Sequence, residues 1–362
     1  MKNFALSIRA EKGAKPMRSR YELIMETAPI LLELTSGSRV VVTGAAGFIG
    51  SRLVEKLRLL GPSVVGVDQL KHFDERPQMR NLDLAERVDR NEFEAWLNRN
   101  PDISAVYHMG ACSATTQFDV DYLKQVNVEY TKTIWNICAE KKIPFIYASS
   151  AATYGGGECG YSDDESRLSD LRPLNPYGDS KQEVDLWVLE QERRGIVPPV
   201  WSGFKFFNVY GFREEHKFEQ ASVVYKAYCQ IRDKGKTRLF KSHKSGIEDG
   251  YQKRDFIFID DVIDVLLFAY QKPIVRGIFN LGTGKARSFV DLVQATFKAM
   301  NKEPLLEFID TPESIRDKYQ YFTQAEMSRL RGEGYERPFT SLESGVKSYV
   351  DWLQKNEEPF GT

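Results

Sequence analysis

A doubly wound α/β fold with a parallel sheet and a smaller interleaved C-terminal α/β domain is predicted by three observations: short apolar runs alternating with helical patterns, a glycine-rich turn after the first run, and late apolar runs that return toward the same region. Val40-Val41-Val42, Val64-Val65-Gly66-Val67, Ala105-Val106-Tyr107 and Pro144-Phe145-Ile146-Tyr147 read as buried parallel strands. Between them, residues 48–60, 92–97 and 121–140 space apolar side chains three and four apart, as crossover helices do. Gly203-Phe-Lys-Phe-Phe-Asn208, Phe256-Ile-Phe-Ile259 and Gly277-Ile-Phe-Asn-Leu281 read as later strands. The predicted units are an extension over 1–37, a parallel-sheet domain over 38–207 and 256–285, and a second domain over 208–255 and 286–362. The polar stretch from Lys241 to Arg254, with Ser242, Gly246 and Gly250, reads as a surface loop or lid.

Composition narrows the function classes. Over 362 residues the chain is 42% hydrophobic, 12% aromatic and 28% charged, values of a folded globular protein. Fifty Lys and Arg against 51 Asp and Glu leave a net charge of -1, so no global basic field gathers nucleic acid or acidic lipid, and an anionic ligand must be held locally. No apolar run approaches the roughly 18 residues of a membrane span. Cys112, Cys138, Cys159 and Cys229 form no CxxC pair, which argues against a zinc site or a disulfide framework and for a reducing cytoplasm. The first twenty residues hold six Lys or Arg and one acid, and Ala28-Pro-Ile-Leu-Leu32 ends at Glu33, too short for a signal-peptide core. The extension reads as a docking arm, an unstructured tail, or sequence upstream of a start at Met17 or Met25.

Val42-Thr-Gly44-Ala-Ala-Gly47-Phe48-Ile49-Gly50 lies between a strand and a helix, the setting in which glycines admit a pyrophosphate and the helix N-terminus faces it. Asp68, at the end of the next strand, is placed to accept hydrogen bonds from an adenosine ribose, which favours NAD. Lys71, Arg76 and Arg80 follow it, and any of them could neutralise a 2′-phosphate, which keeps NADP open. Asn175-Pro-Tyr177-Gly-Asp-Ser-Lys181 sets a phenol and an ammonium four residues apart, on one face of a helix. A neighbouring Lys and an oxidised nicotinamide both favour the phenolate. Ser150, ending the strand Phe145-Ile-Tyr-Ala-Ser-Ser150, can hydrogen-bond the same substrate oxygen. His108 and Cys112 read as packing residues, because no further ligand cluster accompanies them.

These residues resemble the extended short-chain dehydrogenase/reductase family and, within it, the ADP-glyceromanno-heptose 6-epimerases. The resemblance covers most of the chain from Val40 to about Leu353 and rests on His108-Met-Gly-Ala-Cys-Ser113-Ala-Thr-Thr, Tyr147-Ala-Ser-Ser-Ala-Ala-Thr-Tyr-Gly-Gly, Phe207-Asn-Val-Tyr-Gly-Phe-Arg-Glu-Glu-His-Lys217, Arg254-Asp-Phe, Phe279-Asn-Leu-Gly-Thr-Gly and Tyr319-Gln-Tyr-Phe-Thr-Gln. It implies a Rossmann-type sheet, a catalytic triad of Ser150, Tyr177 and Lys181, and Lys217 on the other side of the reacting carbon. The cofactor residues it implies are Gly44, Gly47, Phe48, Ile49, Gly50, Asp68, Gln69, Lys71, Arg90, Met109, Gly110, Ala111, Cys112, Ser113, Asn127, Tyr177, Lys181, Val209 and Lys217. For the substrate nucleotide it implies Ser113, Asn208, Glu219, Lys226, Phe240, Lys241, Ser242, His243, Arg254 and Tyr319. It further implies bound NADP, no metal, an ADP-sugar substrate inverted at C6″ through a transient ketone for lipopolysaccharide inner-core synthesis, and a homo-oligomer, commonly a pentamer. Met109, Phe212 and Lys226 depart from the family's usual Glu, Pro and His. A nucleotide-sugar 4-epimerase and a non-enzymatic NADP(H)-sensing module are the competing readings. A 4,6-dehydratase is disfavoured because Ala151-Ala152 replaces the Asp-Glu pair that it needs after the catalytic hydroxyl residue.

Overall fold

A computed structural model describes residues 34–272, 275–316 and 319–356, with side chains at 218, 219, 314 and 315 left out. Most of the N-terminal extension therefore lies outside the described residues. The strands are β1 (Arg39–Thr43), β2 (Ser63–Asp68), β3 (Glu86–Asp89), β4 (Ala105–His108), β5 (Phe145–Ser150), β6 (Trp201–Phe206), β7 (Asn208–Tyr210), β8 (Thr237–Phe240), β9 (Lys253–Phe258), β10 (Gly277–Leu281), β11 (Ala286–Ser288) and β12 (Leu306–Ile309). The longer helices are α1 (Phe48–Leu60), α2 (Tyr130–Lys141), α3 (Pro176–Arg193), α4 (Val223–Lys234), α5 (Ile259–Gln271), α6 (Phe289–Ala299) and α7 (Leu342–Asn356).

Seven strands form one parallel sheet in the order β10-β6-β5-β4-β1-β2-β3. Chain order reverses between β1 and β4, and in open α/β sheets the crevice above such a switch point is where ligands bind. The central strands are buried on both faces: Val40, Val41, Val42, Ala105, Val106 and Tyr107 have no exposed surface, so covering helices must flank them on each side. The register pairs Val42 with Tyr107 and Thr43 with His108, bringing the C-terminal ends of β1 and β4 level.

The smaller elements correct the sequence reading in three places. The run at Phe256 ends β9, which pairs with β7 and β11 rather than with the large sheet; the chain returns to the large sheet only through α5 and β10. Lys253 and Arg254 belong to that strand, not to the preceding loop, and Arg254 is buried at 6% exposure. Strand β3 escaped prediction because Glu-Arg-Val-Asp contains one apolar residue and forms an edge. Residues 121–140 form the expected helical segment, but with a π-helical stretch, Lys124–Glu129, that carries Asn127. Among the described residues no helix is long and apolar enough to cross a membrane.

Candidate active site

The strand ends open into a cleft of about 1120 Å³ that runs from Asp68 past the glycine turn to Arg254 and Tyr319. Gly44 sits at φ 65, and a Cβ there would lie 2.7 Å from the Cα of Gly110, so only glycine lets the loops after β1 and β4 approach this closely. A Cβ on Gly50 would collide with the Gly44 carbonyl. Gly47 caps α1 without a side chain, leaving the first N–H groups of the helix free to face an anion. This cradle fits a dinucleotide pyrophosphate. Beside it, Asp68 accepts hydrogen bonds from Ala46 N (3.1 Å), Gln69 N (2.8 Å) and His72 Nδ1 (2.7 Å). Arg76 donates to the Ala46 carbonyl at 2.9 Å, and Arg90 also lines this end, so two cations stand near the carboxylate.

On the β5 side, Ser150 ends the strand and its Oγ accepts the Ala152 N–H at 3.1 Å. Asn175 caps α3 through the Gly178 N–H (2.9 Å) and Pro176 occupies the first turn, so Tyr177 and Lys181 project from the start of a well-specified helix. Burial pushes the Tyr177 phenol up, and its neighbour Ser150 opposes the shift. Lys181 donates to the Ala148 carbonyl at 2.8 Å, and burial pulls its pKa down to about 8 against the attraction of Asp185. Behind them lies a fully buried ion pair, Lys205 Nζ to Asp185 Oδ2 at 2.6 Å. Tyr147, Ser149 and Thr153 complete its hydrogen bonds at 2.7–2.9 Å, fastening β5, β6 and α3 together.

Lys217 also lines the cleft, and its Nζ lies 5.5 Å over the Phe48 ring. Its backbone N–H donates to the Glu214 carbonyl at 2.9 Å. The neighbouring carboxylates turn elsewhere: Glu214 accepts from Ser222 Oγ (2.7 Å) and Gly211 N (3.1 Å), and Glu215 from Tyr349 Oη (2.9 Å). Burial raises Glu214 to about 7 and lowers Lys217, with Glu214 opposing the latter shift. The loop is pinned by Arg213, at φ 75, which pairs with Glu55 at 3.0 Å and donates to the Gln78 carbonyl. Phe212, where a proline was expected, packs its ring at 5.2, 5.9 and 5.7 Å from those of Phe258, Tyr349 and Trp352. Farther along, Arg254 stacks at 5.4 Å on Tyr319 and 5.6 Å on Phe289 and donates to the carbonyls of Lys253 and Gln320. No carboxylate among the described residues pairs with it, which leaves a buried cation open to an anionic ligand.

Most expected residues therefore line one cleft: the turn glycines, Asp68, Gln69, Arg90, Met109 to Ser113, Ser150, Tyr177, Lys181, Asn208, Val209, Lys217, Arg254 and Tyr319. Asn127 does not; it is buried beneath and clamps Cys112 N (2.8 Å) and Cys112 O (3.0 Å). Lys71 is exposed on the short helix Leu70–Glu75 and stands off the lining, as does Lys226 in α4. Phe240, Lys241, Ser242 and His243 do not line the cleft; Phe240 packs on its lining residue Tyr319 at 6.3 Å, and the His243 N–H donates to Tyr321, whose ring also packs on Tyr319. The Glu219 side chain lies outside the described residues. Sequence reading missed His72 and His216; the first stands four residues after Asp68, and the second immediately precedes Lys217. No cluster of three metal-ligating side chains occurs among the described residues.

A parallel sheet with a glycine cradle, a Ser-Tyr-Lys group and a second lysine in the same cleft defines a nicotinamide-dinucleotide enzyme class. The chain belongs to the NAD dependent epimerase/dehydratase family, whose model matches residues 40–282. It is 46% identical over 333 residues to the ADP-L-glycero-D-manno-heptose-6-epimerase of Fusobacterium nucleatum, covering 89% of this chain and 99% of the relative. To the enzyme of that name from Nitratidesulfovibrio vulgaris it is 45% identical over 324 residues, covering 88% and 99%. The crystal structure of Helicobacter pylori ADP-L-glycero-D-manno-heptose-6-epimerase superposes with a TM-score of 0.75 at 27% identity, over 88% of this chain and 97% of that one. MoeE5, solved with UDP-glucuronic acid and NAD, superposes with a TM-score of 0.70 at 27% identity, over 88% and 99%.

Proposed function

We propose that this epimerase inverts C6″ of ADP-D-glycero-D-manno-heptose to the L-glycero epimer through a transient 6″-ketone, supplying lipopolysaccharide inner-core synthesis. The observation that carries the reading is that Lys217 lines the same cleft as Ser150, Tyr177 and Lys181, its Nζ over the Phe48 ring. An unactivated carbinol C–H is too weak an acid for any side chain to deprotonate, so inversion requires temporary oxidation. A nicotinamide dinucleotide held by the Gly44–Gly50 turn would supply reversible hydride acceptance and, when oxidised, a positive charge favouring the phenolate. Tyr177, with Ser150 as its neighbour, takes or gives the hydroxyl proton on one face of C6″, and Lys217 does so on the other. Lys181 stabilises the phenolate by charge. Arg254 clamps the substrate diphosphate, with Tyr319 as an apolar platform.

The cofactor we propose is NADP: Arg76 and Arg90 flank the Asp68 end of the cleft, and Asp68 is already engaged by three donors, which favours a 2′-phosphate over a bare ribose. The relatives' shared name supports ADP-heptose as substrate, and the family resemblance supports a cytoplasmic homo-oligomer, a pentamer. Denaturing the purified protein and identifying the released nucleotide, then following C6″ inversion of ADP-heptose by NMR, tests both parts. Released NADP with inversion is the expected result. NADP without turnover would favour a sensor, and inversion at C4 of a nucleotide hexose would favour a 4-epimerase.

A further inference from the structure

Beneath the cleft, a continuous chain of hydrogen bonds joins the loop after β4 to the helix that carries Tyr177. The Gly110 N–H donates to Thr43 Oγ1 at 3.0 Å, and Thr43 Oγ1 contacts His108 Nδ1 at 2.8 Å. His108 Nε2 contacts Thr131 Oγ1 at 2.9 Å, and Thr131 donates to the Asn127 carbonyl at 2.6 Å. The Asn127 side chain donates to Ser180 Oγ at 3.0 Å, and Ser180 donates to the Tyr177 carbonyl at 2.7 Å.

Counting hydrogens fixes the direction of the chain. A hydroxyl owns one hydrogen, and that of Thr131 goes to a carbonyl, which can only accept. Thr131 must therefore accept from His108, so Nε2 carries the ring hydrogen. Burial, with the Lys181 charge adding to it, lowers His108 to about 3, so the ring is neutral and Nδ1 is a bare acceptor. Thr43 fills Nδ1 with its one hydrogen and offers its oxygen to Gly110. The imidazole is 3% exposed and sits 5.6 Å from the Phe145 ring and 5.7 Å from that of Tyr130, which holds it in plane.

We propose that His108, as the neutral Nε2–H tautomer, is a positioning residue that locks the cofactor-side loop 109–113 against the helix bearing Tyr177 and Lys181. It touches no reacting atom. It acts through Thr43 on Gly110, which packs against Gly44, and through Thr131 and Asn127 on both Cys112 and the Tyr177 backbone. The proposal rests on the epimerase reading for its kinetic consequence and on the hydrogen-bond geometry for the tautomer.

The test compares Thr131→Val, which keeps the shape and removes the hydroxyl, with Thr131→Ser, which keeps the hydroxyl. In the full chain with its bound cofactor, Thr131→Val should lower kcat by about 10- to 100-fold, the scale of sub-ångström to ångström misplacement of reacting groups, with substrate KM and cofactor content unchanged. Thr131→Ser should retain kcat within about threefold. Selective ¹⁵N labelling of the four histidines should show a neutral, Nε2-protonated ring at pH 7 that is identified as His108 by its loss in His108→Gln, with its Nε2 resonance displaced in Thr131→Val. Equal losses in the Val and Ser variants of an active enzyme, or an Nδ1–H or charged His108, would overturn the proposal. A wild type that turns over no ADP-heptose overturns the epimerase reading instead, and the nitrogen spectrum still decides the tautomer.

Discussion

The two walls of the cleft are held by different physics. On the parallel-sheet side Ser150 is fastened to the Ala152 N–H and Lys181 to the Ala148 carbonyl, with the fully buried Asp185–Lys205 pair behind both. Elsewhere in the cleft the two lining cations Lys217 and Arg254 rest on aromatic faces, Arg254 also on carbonyls, with no carboxylate ion-paired to them among the described residues. The first wall is organised before any ligand arrives. In the proposed function the second keeps positive charge in reserve for the sugar hydroxyl and the diphosphate.

The comparison is broken most severely at the reacting atoms. Tyr177→Phe and Lys217→Met, one from each wall, should each lower turnover by about 10²- to 10⁴-fold with cofactor still bound, as measured by C6″ inversion and by nucleotide release. Full activity in either variant would remove it from the acid/base pair. Next, Asp185→Leu leaves the Lys205 ammonium buried without a counter-charge, only Thr153 still accepting from it, which should cost about 3–5 kcal/mol in urea unfolding, a loss that belongs to the first wall only. Arg254→Gln should raise substrate KM by about 10- to 100-fold, equivalent to about 1.5–3 kcal/mol for a charge-assisted contact, while cofactor content stays constant. The smallest effect is in pH. Burial sets Lys181 near 8, so above that pH the ammonium that favours the phenolate is lost, and kcat/KM of the enzyme should fall on the alkaline side with an apparent pKa near 8. A flat profile to pH 9.5 would mean that Lys181 stays charged or contributes no charge.

Features carried by local spacing were legible in the chain alone. The glycine turn, the four-residue step from Tyr177 to Lys181 and the strand ending at Ser150 each depend on residues within one turn or strand. Partnerships across the fold were not. Asp185 and Lys205 meet only because α3 packs behind β6, and Phe212 reaches Trp352 across 140 positions of sequence. Neither contact leaves a periodic trace. The Phe256 run was correctly read as a strand but set in the wrong sheet, because an apolar run declares burial and not its neighbour. An exposed pair of Lys217 with Glu214 or Glu215, the plain expectation from their adjacency in sequence, does not form, because these carboxylates turn to Ser222 and Tyr349.

The aromatic nest around Phe212 gives the molecule a built-in optical gauge. Trp96, Trp135, Trp187 and Trp201 lie in the parallel-sheet half, whereas Trp352 stands on α7 against the loop that delivers Lys217. Any tightening of that loop on a sugar must shift the surroundings of a single indole, so substrate capture can be watched by emission from Trp352 without attaching a dye.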